Sequence, residues 1–172
     1  MVKTLIVYQS LYGSTEKIAK TIADILKKGY NHNVEVYKFR QTKILPNIID
    51  YDNIIVGSGI FNGKWGNDAQ KFLKNDFAKK KVAVFVCSGF AGEKSLYKKA
   101  YKTYLENVVE NYPQLKPIKM EAFGGRVPKQ KIPDVWSQQV TGKLPKFGFD
   151  NRNLEKVKNW ANEVGSAFEK NE

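Results

Sequence analysis

The sequence predicts an α/β fold in which a parallel sheet carries helices on both faces. Short apolar runs rich in β-branched residues alternate with amphipathic helical patterns along the chain, the signature of repeated strand–helix–strand units. Length and composition agree. The 172 residues, 42% hydrophobic and 27% charged, suit one domain with a core and leave no room for a second of normal size.

The elements follow in order. Val2 to Tyr8 (VKTLIVY) is short, apolar and β-branched, and reads as a buried strand. Thr15 to Lys28 sets Ile18, Ala19, Ile22, Ile25 and Leu26 on one face with lysines opposite. That is an amphipathic helix, and Gly29 suits its stop. Val34 to Phe39 alternates as an edge strand does, and Asn53 to Val56 is a third apolar run ending at Gly57. Ala69, Phe72 and Leu73 stand at helical spacing between Asn67 and Asn75. Lys81 to Val86 is the most apolar run and belongs at the sheet's centre. Ser95 to Glu110 is helical through Leu96, Ala100, Leu105, Val108 and Val109, and Lys119 to Phe123 is the fifth strand. Asn153 to Phe168 closes the chain as a helix, with Leu154, Val157, Trp160, Ala161, Val164 and Phe168 in one stripe.

One segment stays irregular. Gly124 to Gly148 holds Pro128, Pro133 and Pro145, and sets Arg126, Lys129, Lys131, Lys143 and Lys146 against the single acid Asp134. A loop of roughly 20 residues in a compact domain is usually functional or disordered. Trp136 and Phe147 within it, and Phe149 just after it, could grip a ligand, a lipid surface or a partner, or tack the loop onto the domain, or drive a dimer.

Charge and cysteine content narrow the function. A net charge of +12 and a pI near 9.6 favour anionic cofactors, acidic partners or an anionic membrane face. Nucleic acid is the rival on charge and aromatics. Lysines, however, are spread over every helix face and no nucleic-acid motif occurs, so no specific nucleic acid is expected. Cys87 stands alone, which excludes an internal disulfide and a multi-cysteine metal site. It reads as an inert core residue, and His32 as a surface turn residue. No apolar run is long enough to span a bilayer, and Met-Val-Lys leads straight into a strand without a signal peptide. A cytoplasmic location is expected. No acid–base or nucleophilic side chain stands out as catalytic.

In an open α/β sheet, ligands bind beyond the carboxyl ends of the strands. The loop after the first strand is Gln9-Ser10-Leu11-Tyr12-Gly13-Ser14-Thr15. It is dense in hydroxyls, turns at a glycine and opens a helix, as an anion site does, although an ordinary capped loop reads the same way. A P-loop would need Gly-Lys-Ser/Thr opening the helix, and Gly13-Ser14-Thr15 has no lysine; a dinucleotide fingerprint needs three glycines where only Gly13 stands. The loop after the third strand is Ser58-Gly59-Ile60-Phe61-Asn62-Gly63-Lys64-Trp65-Gly66. Its glycines allow close backbone approach, and Phe61 or Trp65 could stack on a flat ring. Asn62-Gly63 is a turn signal and a peptide that could reorient cheaply. The competing account is a plain turn with Trp65 covering the next helix. The fourth-strand loop, Cys87-Ser88-Gly89-Phe90-Ala91-Gly92-Glu93, repeats the pattern of glycines and one aromatic.

Together these loops resemble the flavodoxin-like superfamily. Ser10-x-Tyr-Gly-x-Thr15 is similar to its FMN phosphate loop, which holds the phosphate with amides and hydroxyls rather than lysine. The resemblance implies a three-layer sandwich around a five-stranded parallel sheet, order 2-1-3-4-5. It covers residues 1–172 as a single domain with a basic insertion at about 126–148 before the last helix. It also implies FMN as cofactor. Ser10, Leu11, Tyr12, Gly13, Ser14 and Thr15 would lie at the phosphate. Ser58, Gly59, Ile60, Phe61, Asn62, Gly63, Trp65, Ser88, Gly89, Phe90, Ala91 and Gly92 would lie at the ring and ribityl chain. The Asn62–Gly63 peptide would turn toward N5 of the reduced ring. Within the superfamily, Tyr8 to Thr15, Val56 to Gly63 and Phe123-Gly-Gly-Arg-Val127 resemble the group that includes menaquinone-dependent protoporphyrinogen oxidases. That implies an oxidoreductase with a redox partner, a quinone or a porphyrin, and peripheral membrane contact through the basic loop. The alternative is an electron carrier with no substrate of its own. A phosphoacceptor receiver domain would need acids after the first and third strands, where Tyr8-Gln9 and Val56-Gly57 supply none.

Overall fold

The computed structural model describes residues 1–41, 44–77, 79–128 and 148–170. Five parallel strands build the sheet: β1 (Lys3–Gln9), β2 (Asn33–Lys38), β3 (Asn53–Phe61), β5 (Lys81–Ser88) and β6 (Lys119–Gly124). A two-residue strand, β4 (Lys64–Trp65), folds back antiparallel on β3. The order β2-β1-β3-β5-β6 is the expected 2-1-3-4-5 once the short hairpin arm is set aside. The sequence therefore placed β2 at the edge and its most apolar run inside the sheet correctly.

Alternation along each strand divides the core into two layers. Leu5 and Val7 of β1, and Val82, Val84 and Val86 of β5, face one side. That side is covered by α2 (Asn67–Phe72) and by the helix that starts as α3 (Tyr97–Tyr101) and ends as α4 (Asn107–Val109). Ile6 and Tyr8, with Ala83 and Phe85, face the other. There α1 (Ser14–Tyr30) packs beside α5 (Leu154–Glu169). A strand buried on both faces must be apolar throughout, which is why β5 reads as an unbroken hydrophobic run.

Several boundaries differ from the sequence reading. Helix α1 does not stop at Gly29; it runs to Tyr30, and Asn31 takes the left-handed cap at φ 54°. Asparagine tolerates that conformation because its short polar side chain bonds locally. Strand β3 continues five residues past Val56, to Phe61, so the expected loop is half strand. The helix over Tyr97–Val109 contains a π-helical stretch at Lys102–Glu106. The segment after Gly124 is not wholly irregular: β7 (Arg126–Pro128) pairs antiparallel with β8 (Gly148–Asp150). The rest of the basic insertion, Trp136 and Phe147 included, lies outside the described residues.

His32 is a second correction. It is 4% exposed rather than a surface residue. Its Nε2 lies 2.8 Å from Glu169 Oε1 and its Nδ1 2.9 Å from Thr4 Oγ1. A carboxylate only accepts, so Nε2 carries the proton, and in the neutral ring Nδ1 accepts from the Thr4 hydroxyl. The ring also stacks on Phe168 at 6.2 Å. A residue just before β2 thus ties the start of β1 to the last turn of α5, a pairing across 137 residues of sequence.

Candidate functional site

The carboxyl ends of β1, β3, β5 and β6 converge on one open cleft. The loop from β1 into α1 forms one wall. Gly13 turns it at φ 91°, a left-handed conformation that favours glycine. Ser10 Oγ accepts the Gly13 N–H at 3.1 Å. The first intrahelical bond runs from Lys17 N–H to Gly13 O, at 3.0 Å. The amides of Ser14, Thr15 and Glu16 therefore have no acceptor within the helix, and they converge at its positive end. Ser14 Oγ accepts the Arg126 N–H at 2.9 Å, so its own O–H proton remains to be donated.

The opposite wall is the β3–β4 hairpin. Phe61 pairs with Lys64 across the two-residue loop Asn62-Gly63, whose φ values of 47° and 74° make a type I′ turn. Tyr12 meets Phe61 edge-to-face at 5.4 Å, joining the two walls. Reorienting the Asn62–Gly63 peptide would turn I′ into II′. That turn wants glycine at its first central position, where Asn62 stands. The peptide is therefore costlier to turn than the sequence reading supposed.

The floor is backbone. A Cβ on Gly59 would come within 3.1 Å of Thr15 Oγ1 and 3.2 Å of the Phe61 ring, and one on Gly125 within 3.0 Å of Cys87 Sγ. These glycines keep open a space that side chains would fill. Asn151 pins the floor by donating from its amide N–H to Gly125 O at 3.0 Å and from Nδ2 to Gly89 O at 3.1 Å.

The structure brings Ser10, Leu11, Tyr12, Ser14, Thr15, Gly59, Ile60, Phe61, Asn62 and Gly89 to the cleft lining. Other expected residues support it from behind. Gly13 and Gly63 shape their turns at positive φ. Ser58 is fully buried: it accepts the Gly66 N–H at 2.9 Å and donates to Gly59 O at 2.8 Å. Ser88 Oγ accepts the Phe90 N–H at 3.3 Å, and Phe90 packs against the core. Ala91 is buried, and a Cβ on Gly92 would collide with Asn151 at 2.2 Å. Trp65 does not face the cleft. It is 4% exposed, and its indole N–H donates to Tyr104 O at 2.7 Å, in the π-helical stretch. Trp65 bonds to the helix of Tyr104, whereas the competing account had it covering the next helix, and Phe61 is the aromatic side chain of this hairpin that lines the cleft.

Three lining residues escaped the sequence reading of the site: Cys87, Gly125 and Arg126. Burial pushes the Cys87 thiol up to about 12, and Sγ contacts Gly124 O at 3.6 Å, so the thiol stays protonated. Among the described residues lining the cleft, Arg126 is the one charged side chain, and none of them is an acid. Neutral donors, one guanidinium, an aromatic pair and a glycine floor suit a ligand with an anionic end and a flat apolar body.

The Flavodoxin domain profile matches residues 5–139. The chain belongs to the flavodoxin-domain family. Solved flavodoxins agree over nearly the full length. Oxidised flavodoxin 2 from Bacillus cereus is 26% identical, with 96% of this chain and 98% of that one covered at a TM-score of 0.58. A flavoprotein from Lactobacillus acidophilus, solved in complex with FMN, is 20% identical over 71% of this chain and 93% of its own, with a TM-score of 0.54. A cysteine-to-serine mutant of the Pseudomonas aeruginosa flavodoxin, 15% identical, covers 98% of this chain and 100% of its own at 0.58. Among curated proteins none matches the sequence. Among the described residues of this flavodoxin-domain chain, no helix is long and apolar enough to cross a membrane.

Proposed function

We propose that this chain binds one FMN in the cleft between the α1 N-terminus and the β3–β4 hairpin and passes electrons through it. The supporting observation is the joining of an anion-binding helix start to an aromatic, glycine-floored slot, with Tyr12 against Phe61 at 5.4 Å. When bound, FMN supplies one- and two-electron redox chemistry. The chain's part is to bind and orient. The amides of Ser14 to Glu16 and the hydroxyls of Ser10, Ser14 and Thr15 hold the phosphate. Tyr12, Phe61 and the backbone of Gly59 to Asn62 and of Gly89 flank the ring. Ser58, Ser88, Gly92 and Trp65 act through these loops by fixing their paths. Titration of the purified chain with FMN, read by tryptophan and flavin fluorescence together, tests this. Stoichiometric quenching supports it, and no binding at micromolar FMN refutes it.

A second reading makes the chain an enzyme acting on an anionic or quinone substrate, as the resemblance to protoporphyrinogen oxidases implies. The cationic cleft residue Arg126 and the net charge of +12 favour it. A positively charged protein would repel basic partner surfaces. Turnover of protoporphyrinogen with a quinone acceptor separates the two readings. Its absence, with transfer to a protein partner intact, leaves the carrier.

A further inference from the structure

Resting on the FMN reading above, we propose that Arg126 is the residue that selects a phosphorylated flavin over an unphosphorylated one. The resemblance led to a phosphate loop built only of neutral donors. The structure adds a cation from the far edge of the sheet. Arg126 follows β6, opens β7 and lines the same cleft as Ser10, Ser14 and Thr15. Its backbone N–H reaches Ser14 Oγ at 2.9 Å, so its main chain is fixed beside the first turn of α1. The side chain is exposed.

The described acids near that guanidinium leave it available. Asp150 lies opposite Arg126 in the β7–β8 register and feels its charge. Both Asp150 carboxylate oxygens, however, are held by Arg152, at 2.8 Å from Nε and 2.6 Å from an η nitrogen. Among the described residues, no carboxylate forms an ion pair with Arg126 within 4 Å. A planar guanidinium matches a phosphate through paired charge-assisted bonds, which neutral amides and hydroxyls do not supply. The positive end of α1 points at the same place. Riboflavin offers the same ring and ribityl chain without the phosphate, so its binding is blind to this residue.

The test compares FMN and riboflavin binding to the full chain, wild type against Arg126→Gln and Arg126→Lys, at low and high salt. The glutamine variant keeps the backbone bond to Ser14, and its thermal melt is expected to match the wild type. Loss of a charge-assisted contact is expected to weaken FMN by about ten- to a hundredfold. Riboflavin affinity stays unchanged, the salt dependence of FMN binding flattens, and lysine restores part of the loss. Equal weakening of both flavins overturns the proposal, because Arg126 would then act on the ring or the fold. Unchanged FMN affinity overturns it as well. A wild type that takes neither flavin refutes the FMN reading itself, an outcome distinct from a wild type that takes FMN regardless of residue 126.

Discussion

Gly57→Ala is the sharpest test of how the central sheet is packed. Gly57 lies directly opposite Phe85 in the β3–β5 register. A Cβ at Gly57 would fall 2.2 Å from Phe85 Cζ, 2.5 Å from Cε1 and 2.7 Å from Cε2. Carbon atoms in contact need about 3.5 Å, so the ring must withdraw by roughly an ångström or more. It has nowhere to go. Phe85 is 0% exposed and wedged edge-to-face against Phe123 and Trp160, both at 6.1 Å. Overpacking in a well-filled core costs about 1–3 kcal/mol, and a ring locked on both sides puts this site at about 3 kcal/mol. Phe85→Leu removes the offending edge and alone costs about 1–2 kcal/mol through the space it leaves. In the double variant the new methyl occupies part of that space. Its loss is expected to fall short of the sum of the singles by about 2 kcal/mol. Urea midpoints for the four proteins, with m unchanged, measure the coupling. Additivity within about 0.5 kcal/mol would show that the methyl and the ring do not compete, and would refute the packing argument.

Three further outcomes follow from the same geometry. Thr4→Val strips the hydroxyl from His32 Nδ1, 2.9 Å away and buried. It should destabilise the chain by about 1–3 kcal/mol in urea melts, while Glu169→Gln, at the half-exposed end of the network, costs less. Cys87 is held protonated in the fold, its thiol pushed up to about 12. Its contribution is therefore fully present below the ordinary thiol range and is lost as pH rises toward the folded value, with stability falling by about 1.4 kcal/mol per pH unit above roughly 8.5. Cys87→Ala should show a shallower alkaline decline in urea midpoints between about pH 8 and 10, and the wild-type thiol should resist iodoacetamide until the chain unfolds. Asn62→Gly removes the obstacle to turning the Asn62–Gly63 peptide. If FMN binds as proposed, spectroelectrochemistry should show the first reduction potential moving by tens of millivolts toward easier reduction, and an unmoved potential would count against any role for that peptide.

The strands and helices were legible because their signals are periodic and local. β5 announces its burial on both faces by Val82, Val84 and Val86 interleaved with Ala83 and Phe85, which end in opposite core layers. The amphipathic stripes of α1 and α5 likewise named the residues that pack together. What escaped depends on contacts made at long range. Nothing near His32 in the sequence says that Thr4 and Glu169 will close over it. Asn31, not Gly29, ends α1, because a stop can be supplied by any residue that tolerates the left-handed region, and the helix gains another hydrogen bond by running on.

The same distinction sorts the candidate site. The phosphate loop was readable because its chemistry is contiguous: a left-handed glycine, hydroxyls on either side and a helix start lie within six residues, Ser10 to Thr15. The hairpin was readable only as composition. Phe61 and Trp65 are both large aromatics in a glycine-rich loop, and sequence cannot say which faces the cleft. In an antiparallel pair Phe61 sits opposite Lys64 and Trp65 opposite Ile60. Register sends Trp65 to the layer where Tyr104 O waits, and Phe61 toward Tyr12. Arg126 was read from the sequence as a basic residue of the insertion and as part of Phe123-Gly-Gly-Arg-Val127, not as a residue of the site. It opens the short strand β7, and its partner Ser14 is 112 residues away. An arginine after the last strand of the parallel sheet acquires meaning only when the fold brings the end of β6 beside the first turn of α1, where its N–H reaches Ser14 Oγ. Selectivity for a charged ligand group can therefore reside in a residue whose role its local sequence does not state.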